Sequence, residues 1–270
     1  MKIPYTKAHG AQNDFLLSWD SEVSTNRLPE IAKAICHRHT GVGADGWLVV
    51  SEGNDAYDGA IRLFNPDGSE PEISGNGTRC AAAFLMRAGG QDPEIRIMTG
   101  AGLKTMRLLQ TSGLEYLFEM DMGEPVVEAD DLRRVLTTSR CEVIATILYV
   151  GNPQCAVFVD SFNFDWQALG AELESHPHFP NRTNVSFVRV VDRHTIDVRF
   201  FERGVGVTLS SGTGSTGAAV AAILRGEVES PVRILTSGTP LDLRWPAGGT
   251  PQLTGPAEIV AAGEFYFEEN

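Results

Sequence analysis

Two stretches of this chain say the same thing. Ser74-Gly75-Asn76-Gly77-Thr78-Arg79-Cys80 runs directly into Ala81-Ala82-Ala83-Phe84-Leu85-Met86-Arg87. Ser211-Gly212-Thr213-Gly214-Ser215-Thr216-Gly217 runs into Ala218-Ala219-Val220-Ala221-Ala222-Ile223-Leu224-Arg225. A glycine-rich turn followed by an alanine-rich apolar run predicts a loop feeding a buried helix. The approach repeats as well. Asn65, at the end of Leu63-Phe64-Asn65, stands nine residues before Ser74, and Glu202, at the end of Phe200-Phe201-Glu202, stands nine before Ser211. A strand, a connector, a serine and a helix thus occur twice, about one small domain apart. The first amides of each helix have no intrahelical acceptor and lie at its positive end. They form a ready seat for a carboxylate or phosphate, and glycine lets the ligand approach the backbone.

The 270 residues suffice for two ordinary domains. The expected boundary falls near Met122-Gly123-Glu124-Pro125. Residues 124–257 would form the second domain, and residues 1–123 plus about 258–270 the first, because the final strand-like stretch, Ala257 to Phe267, can return to it. The net charge of −13 and pI near 4.9 argue against a nucleic-acid partner. No apolar run approaches the roughly 18 residues a membrane helix needs, so no membrane partner is expected. Met1-Lys2-Ile3-Pro4-Tyr5 lacks a signal-peptide core. Cys36, Cys80, Cys141 and Cys155 form no C-x-x-C or zinc pattern. Reduced thiols in a cytoplasmic protein without a metal are the expectation.

Along the chain, strands are predicted at Lys2 to Lys7 and Phe15 to Trp19 around a polar turn, His9 to Asp14. A helix is predicted over Leu28 to His39, with His37 and His39 at its end. Strands follow at Trp47 to Val50, Ala60 to Phe64, Ile95 to Met98, Leu103 to Leu109 and Leu114 to Met120. The second half offers Val143 to Val150, Ala156 to Val159, a helix at Trp166 to Leu173, then Val185 to Val191, Thr195 to Phe201, Val232 to Leu235 and Leu241 to Arg244. The fold class is therefore α+β, with two pseudo-symmetric β-rich domains each wrapping a central helix. If the halves face one another, both helix N-termini converge on one cleft and suit one shared carboxylate. Asn13, Asn65, Asn152, Asn184, Glu202 and Arg203 would flank it, although each asparagine is also an ordinary turn former.

These residues carry a resemblance. Thr6 to Phe15, Gly41 to Gly46, Phe64 to Ser69, Gly75 to Cys80, Gly151-Asn152-Pro153, Arg182 to Phe187, Glu202 to Gly206 and Gly212-Thr213-Gly214 are similar, in order, to the motifs of the diaminopimelate epimerase family. That family shares its fold group with proline racemase and the phenazine-biosynthesis isomerase. The resemblance implies a cofactor-free amino-acid epimerase of the type that converts LL- to meso-diaminopimelate. In that family two cysteines on opposite faces of the α-carbon remove and return its proton. By motif, Gly75, Asn76, Gly212 and Thr213 would hold the reacting carboxylate. Asn13, Asn65, Asn152, Asn184 and Arg203 would hold the distal amino-acid end, and Glu202 would assist one base. Family members are often dimers, so a homodimer is the oligomer the resemblance implies.

The chain departs from the pattern at the chemistry itself. Ser74 and Ser211 stand where the family has its cysteines, Gln154 where it has a histidine, and Gly206-Val207-Thr208 replaces Gly-Glu-Thr. A thiol ionises near pH 8.5, and lower at a helix N-terminus, whereas a serine needs a neighbouring base. Glu202 is the one motif-matched carboxylate left. Cys80 lies about 9 Å along the helix from Ser74, and Cys155 should face away from Gln154 by strand alternation. Gln154 and Val207 would serve no purpose in a substrate-trapping variant, which favours natural divergence. Three readings stay open: a weak or disabled epimerase, a one-face isomerase with Glu202 as base, and a non-catalytic amino-acid binder. A serine-hydrolase reading is weak, since neither serine sits in a G-x-S-x-G elbow.

Overall fold

The computed structural model describes residues 1–23, 26–90 and 92–268. The chain divides into two compact units, Met1–Met120 with Gly255–Asn270, and Asp121–Thr254.

The first unit contains β1 (Lys2–Gly10), β2 (Asn13–Trp19), α1 (Leu28–Ile35), β3 (Gly46–Asn54), β4 (Tyr57–Phe64), α2 (Gly75–Arg87), β5 (Glu94–Thr99), β6 (Gly102–Ser112) and β7 (Glu115–Asp121). The strands follow one another in sequence order, and the last strand of the chain, β16 (Gln252–Tyr266), lies next to β7. β16 also pairs antiparallel with β1, from Lys2↔Tyr266 to His9↔Glu258. The sheet therefore closes on itself and has no free edge. α2 runs inside it, against β1 to β5. Every residue from Gly75 to Phe84 is buried, and Ala81, Ala82 and Ala83 are fully so. Alanine is what a narrow barrel can hold around a central helix. α1 covers the outside, where Ile31, Ala32 and Ile35 pack on Leu16, Trp47 and Phe64.

The second unit repeats the plan with β8 (Arg134–Thr137), β9 (Glu142–Tyr149), β10 (Pro153–Phe158), α3 (Trp166–Glu174), β11 (Asn184–Asp192), β12 (Thr195–Glu202), β13 (Gly206–Thr208), α4 (Gly212–Leu224), β14 (Val232–Leu235) and β15 (Leu241–Arg244). Its order is β8-β9-β10-β11-β12-β14-β15, with β13 folded onto β12 and residues 252–254 of β16 paired to β15. α4 is the inner helix, with Ala218 to Ala222 fully buried. α3 is the outer one, where Leu169 and Leu173 pack on Val185 and Phe187.

Three expectations need correction. The first turn spans only Ala11 and Gln12, because His9 and Gly10 belong to β1 and Asn13 and Asp14 to β2. Both turn residues have positive φ, 53° and 69°, the geometry of a tight two-residue hairpin. Neither Ala nor Gln prefers it, which hid how short the turn is. The helix at 28 stops at Ile35 rather than His39. There the amides of Val42 and Gly43 donate to the Ile35 carbonyl at 2.9 and 3.0 Å, so the returning chain takes the acceptor that another turn of helix would use. β8 and β13 were not anticipated, since runs of four and three residues carry no readable period.

Candidate active site

Ser74 and Ser211 are the N-caps of α2 and α4. Each is extended, with φ −127°, ψ 121° and φ −138°, ψ 126°. Each hydroxyl accepts the amide of the third helical residue, Gly77 or Gly214, at 3.1 Å. Serine is among the best N-cap residues. By helix geometry the amides of Gly75 and Asn76, and of Gly212 and Thr213, have no intrahelical acceptor. Neither first turn carries an acidic residue that would neutralise the dipole. Both turns have a ring packed underneath: a Cβ on Gly77 would lie 3.4 Å from the Phe15 ring, and one on Gly214 only 2.9 Å from the Phe200 ring.

In the first unit the polar groups form one chain. Arg79 Nη2 donates to Asn76 Oδ1, Asn76 Nδ2 to Asn13 Oδ1 at 3.1 Å, and Asn13 Nδ2 to Asp45 Oδ2 at 2.8 Å. Asn13 and Asn76, which the motif assigns to opposite ends of a ligand, are thus bonded to each other. Arg79 is wholly buried, and burial lowers its pKa to about 10. Its Nε donates to the Pro256 carbonyl at 3.2 Å. Arg38 holds Asp14 and Asp45 together, with Nη2 at 2.7 Å from each. Burial raises Asp14, but hydrogen bonds from Arg38 and Lys7, with their charges, outweigh it and hold the carboxyl below its usual range. Burial, then the Asp14 charge, pushes Asp45 up. Asn65 stays apart from this chain and donates to Ser69 Oγ at 3.0 Å within its own turn.

In the second unit Ser211 Oγ donates to Glu202 Oε2 at 2.8 Å, and Thr208 Oγ1 donates to Glu202 Oε1 at 2.6 Å. The hairpin explains this. Glu202 ends β12, and β13 returns beside it with Glu202↔Gly206 and Phe200↔Thr208 in register. Alternation gives Gly206 and Thr208 one face and leaves Val207 on the other, 46% exposed. Behind the first turn of α4, Asn152 Nδ2 donates to Thr213 Oγ1 at 3.2 Å and Gln154 Nε2 to Asn152 Oδ1 at 2.6 Å. Gln154 Oε1 is buried without a hydrogen-bond partner. Asn184 Nδ2 donates to the Pro153 carbonyl, and its Oδ1 accepts the Arg203 amide, both at 3.0 Å. Cys80 and Cys155 are fully buried, and burial pushes both thiols up to about 12.

Thr208 and Asp45 are the partners that motif reasoning missed. Thr208 could have been found from its place across the hairpin from Glu202, and Asp45 lies in Gly41 to Gly46, a motif to which no role was given. Among the described residues no His, Cys, Asp or Glu cluster is arranged to hold a metal, and no helix is long and apolar enough to cross a membrane.

Two sheet-rich units, each packed on an inner helix with a polar N-terminus, define a class of fold. A hydroxyproline epimerase from Agrobacterium vitis has the same fold at a TM-score of 0.74 and 17% identity, over 97% of this chain and 92% of that one. A phenazine biosynthesis protein of the PhzF family from Bacillus anthracis shares it at 0.68 and 15% identity, over 99% of this chain and 100% of that one. Sequence narrows the class. The family model described as diaminopimelate epimerase matches residues 5–128 and 146–260. Diaminopimelate epimerases from Azoarcus sp. (strain BH72) and Pelotomaculum thermopropionicum are 41% and 38% identical, over 98% and 97% of this chain and 99% of each of those proteins. The chain belongs to the diaminopimelate epimerase family.

Proposed function

We propose that this protein binds diaminopimelate or a closely related diamino acid and moves the α-proton chiefly on one face, far more slowly than a thiol pair would. The observation that carries the reading is the 2.8 Å hydrogen bond from Ser211 Oγ to Glu202 Oε2. A serine becomes a usable base when a carboxylate takes its proton. In this scheme Ser211 Oγ takes the α-hydrogen as a proton while its own proton passes to Glu202. The C–H bond breaks, and its electron pair enters the α-carboxylate, whose oxygens accept from the amides of Gly212 and Thr213. Reversal returns a hydrogen to the same face. Thr208, bonded to the other carboxylate oxygen, orients Glu202 for this exchange. Asn184 and Arg203 are the side chains of this unit we assign to the distal amino-acid end.

Ser74 has no such carboxylate among the described residues, so its hydroxyl is a poor partner for inversion. The test is incubation with LL-, DD- and meso-diaminopimelate in D2O, following α-deuterium by mass spectrometry and stereochemistry by chiral separation. Deuterium gained faster than configuration is lost is the expected outcome. Inversion as fast as exchange would sink the one-face reading. No exchange, with a rise in melting temperature on adding ligand, would leave a binding protein.

A further inference from the structure

Glu174, the last residue of α3, is 3% exposed and belongs to none of the motifs above. Burying a carboxylate is expensive unless it is paired and hydrogen-bonded, and this one has three bonds. Its Oε2 accepts Arg182 Nε at 3.0 Å, its Oε1 lies 2.5 Å from Arg182 Nη2, and Oε1 also accepts the Gly204 amide at 3.1 Å. Its backbone carbonyl accepts the Thr183 amide at 3.0 Å. One residue thus ties down two loops. The first leads through Arg182 to Asn184. The second carries Arg203, immediately before Gly204. Where the loops meet β11 and β12, the Arg203 amide donates to Asn184 Oδ1 at 3.0 Å.

The backbone shows that the clamp is needed. Arg182 has φ of 62°, a left-handed conformation that costs a non-glycine residue energy and persists only where its surroundings impose it. The Arg182 amide on the Phe179 carbonyl at 2.9 Å, the Thr183 amide on the Glu174 carbonyl and the salt bridge to Glu174 all act on it, two residues before Asn184. The Arg182 side chain itself is 53% exposed, so solvation alone would not hold it there.

We propose that Glu174 is a positioning residue that sets the placement of Asn184 and Arg203, and through them the selectivity for a ligand bearing a second amino-acid end. This rests on the assignment of those two side chains under Proposed function. It predicts a loss of affinity that depends on the ligand's distal end, which a general loss of packing would not produce.

The experiment is calorimetric titration of the full-length chain, wild type, Glu174→Gln and Glu174→Ala, with meso-diaminopimelate and with L-lysine, which lacks the distal carboxylate. Glu174→Gln keeps an acceptor for Gly204 and loses the charge that holds Arg182. Affinity for diaminopimelate should fall about tenfold in Glu174→Gln and up to about a hundredfold in Glu174→Ala, the scale of lost charge-assisted hydrogen bonds, with lysine affinity held within about twofold. Equal losses for both ligands, or none for either, overturn the proposal. Amide hydrogen exchange on the ligand-free proteins reads the clamp separately. Exchange at Gly204 should speed up in Glu174→Ala while the amides inside α4 keep their protection, and unchanged exchange at Gly204 overturns the clamp. If the wild-type chain binds neither ligand, the diamino-acid reading fails and the selectivity fails with it, whatever amide exchange shows. If Glu174→Ala does not fold, Glu174→Gln carries both measurements.

Discussion

The two serine caps are built alike and equipped differently. Both accept the amide of the third helical residue at 3.1 Å, and both lead a buried alanine-rich helix. Ser211 also donates a hydrogen bond to a carboxylate, and Ser74 has none to donate to among the described residues. The difference lies in what surrounds each turn. The second unit folds β13 back onto β12 and so brings Thr208 to Glu202. The first unit spends its polar groups on the chain from Arg79 through Asn76 and Asn13 to Asp45, which braces the helix start. Under the proposed reading, the repeated fold has one half suited to moving a proton and one half suited mainly to holding an anion.

The largest effect should come from erasing the difference. Ser74→Cys with Ser211→Cys gives both turns a group that ionises near neutral pH, and the rate of diaminopimelate epimerisation should rise by orders of magnitude, about the 10²–10⁴ that a well-matched acid or base contributes. Ser211→Cys alone should accelerate exchange more than inversion. If the double variant gains nothing in a chiral assay, Gln154 with its unpartnered Oε1 becomes the group to replace next. The asymmetry is sharpened by a second pair. Glu202→Gln should cut α-deuterium incorporation by about a hundredfold or more, because it removes the acceptor for the Ser211 proton. Ser74→Ala should lower it by only a few-fold. Equal losses in the two variants would break the comparison.

Much of the plan was legible in the sequence, and the limits have physical reasons. The helices at 75 and 212 announce themselves because a cap, glycines and a run of small apolar residues agree at each point. Most strands show because one face is buried and the other is not. The outer helix at 28 was overextended because the apolar spacing of Leu28, Ile31, Ala32, Ile35 and Cys36 gives no stop, and only the returning amides of Val42 and Gly43 end it. The site was legible as residue types in motifs. The pairing was not, because hydrogen bonds such as Asn76 to Asn13 and Thr208 to Glu202 join segments that only the fold brings together. Glu174 gave no signal, since a helix-end glutamate is normally a solvated one and its burial depends on two loops closing over it.

The smallest effect concerns stability, and it tests the same asymmetry without any substrate. Ser74→Ala removes an N-cap and should cost about 1 kcal/mol in urea unfolding. Ser211→Ala removes a cap and also a hydrogen bond to a carboxylate, a type of bond worth about 1.5–3 kcal/mol. The second variant should therefore be the less stable by about that bond. The gap between them should narrow in a Glu202→Gln background, where an amide oxygen can still accept from Ser211 but the charge is gone. A gap that survives undiminished would mean that the carboxylate charge adds nothing to the Ser211–Glu202 bond. The base role proposed for Ser211 would then lose its structural basis, because a carboxylate too weakly engaged to stabilise the hydroxyl is also too weakly engaged to take its proton.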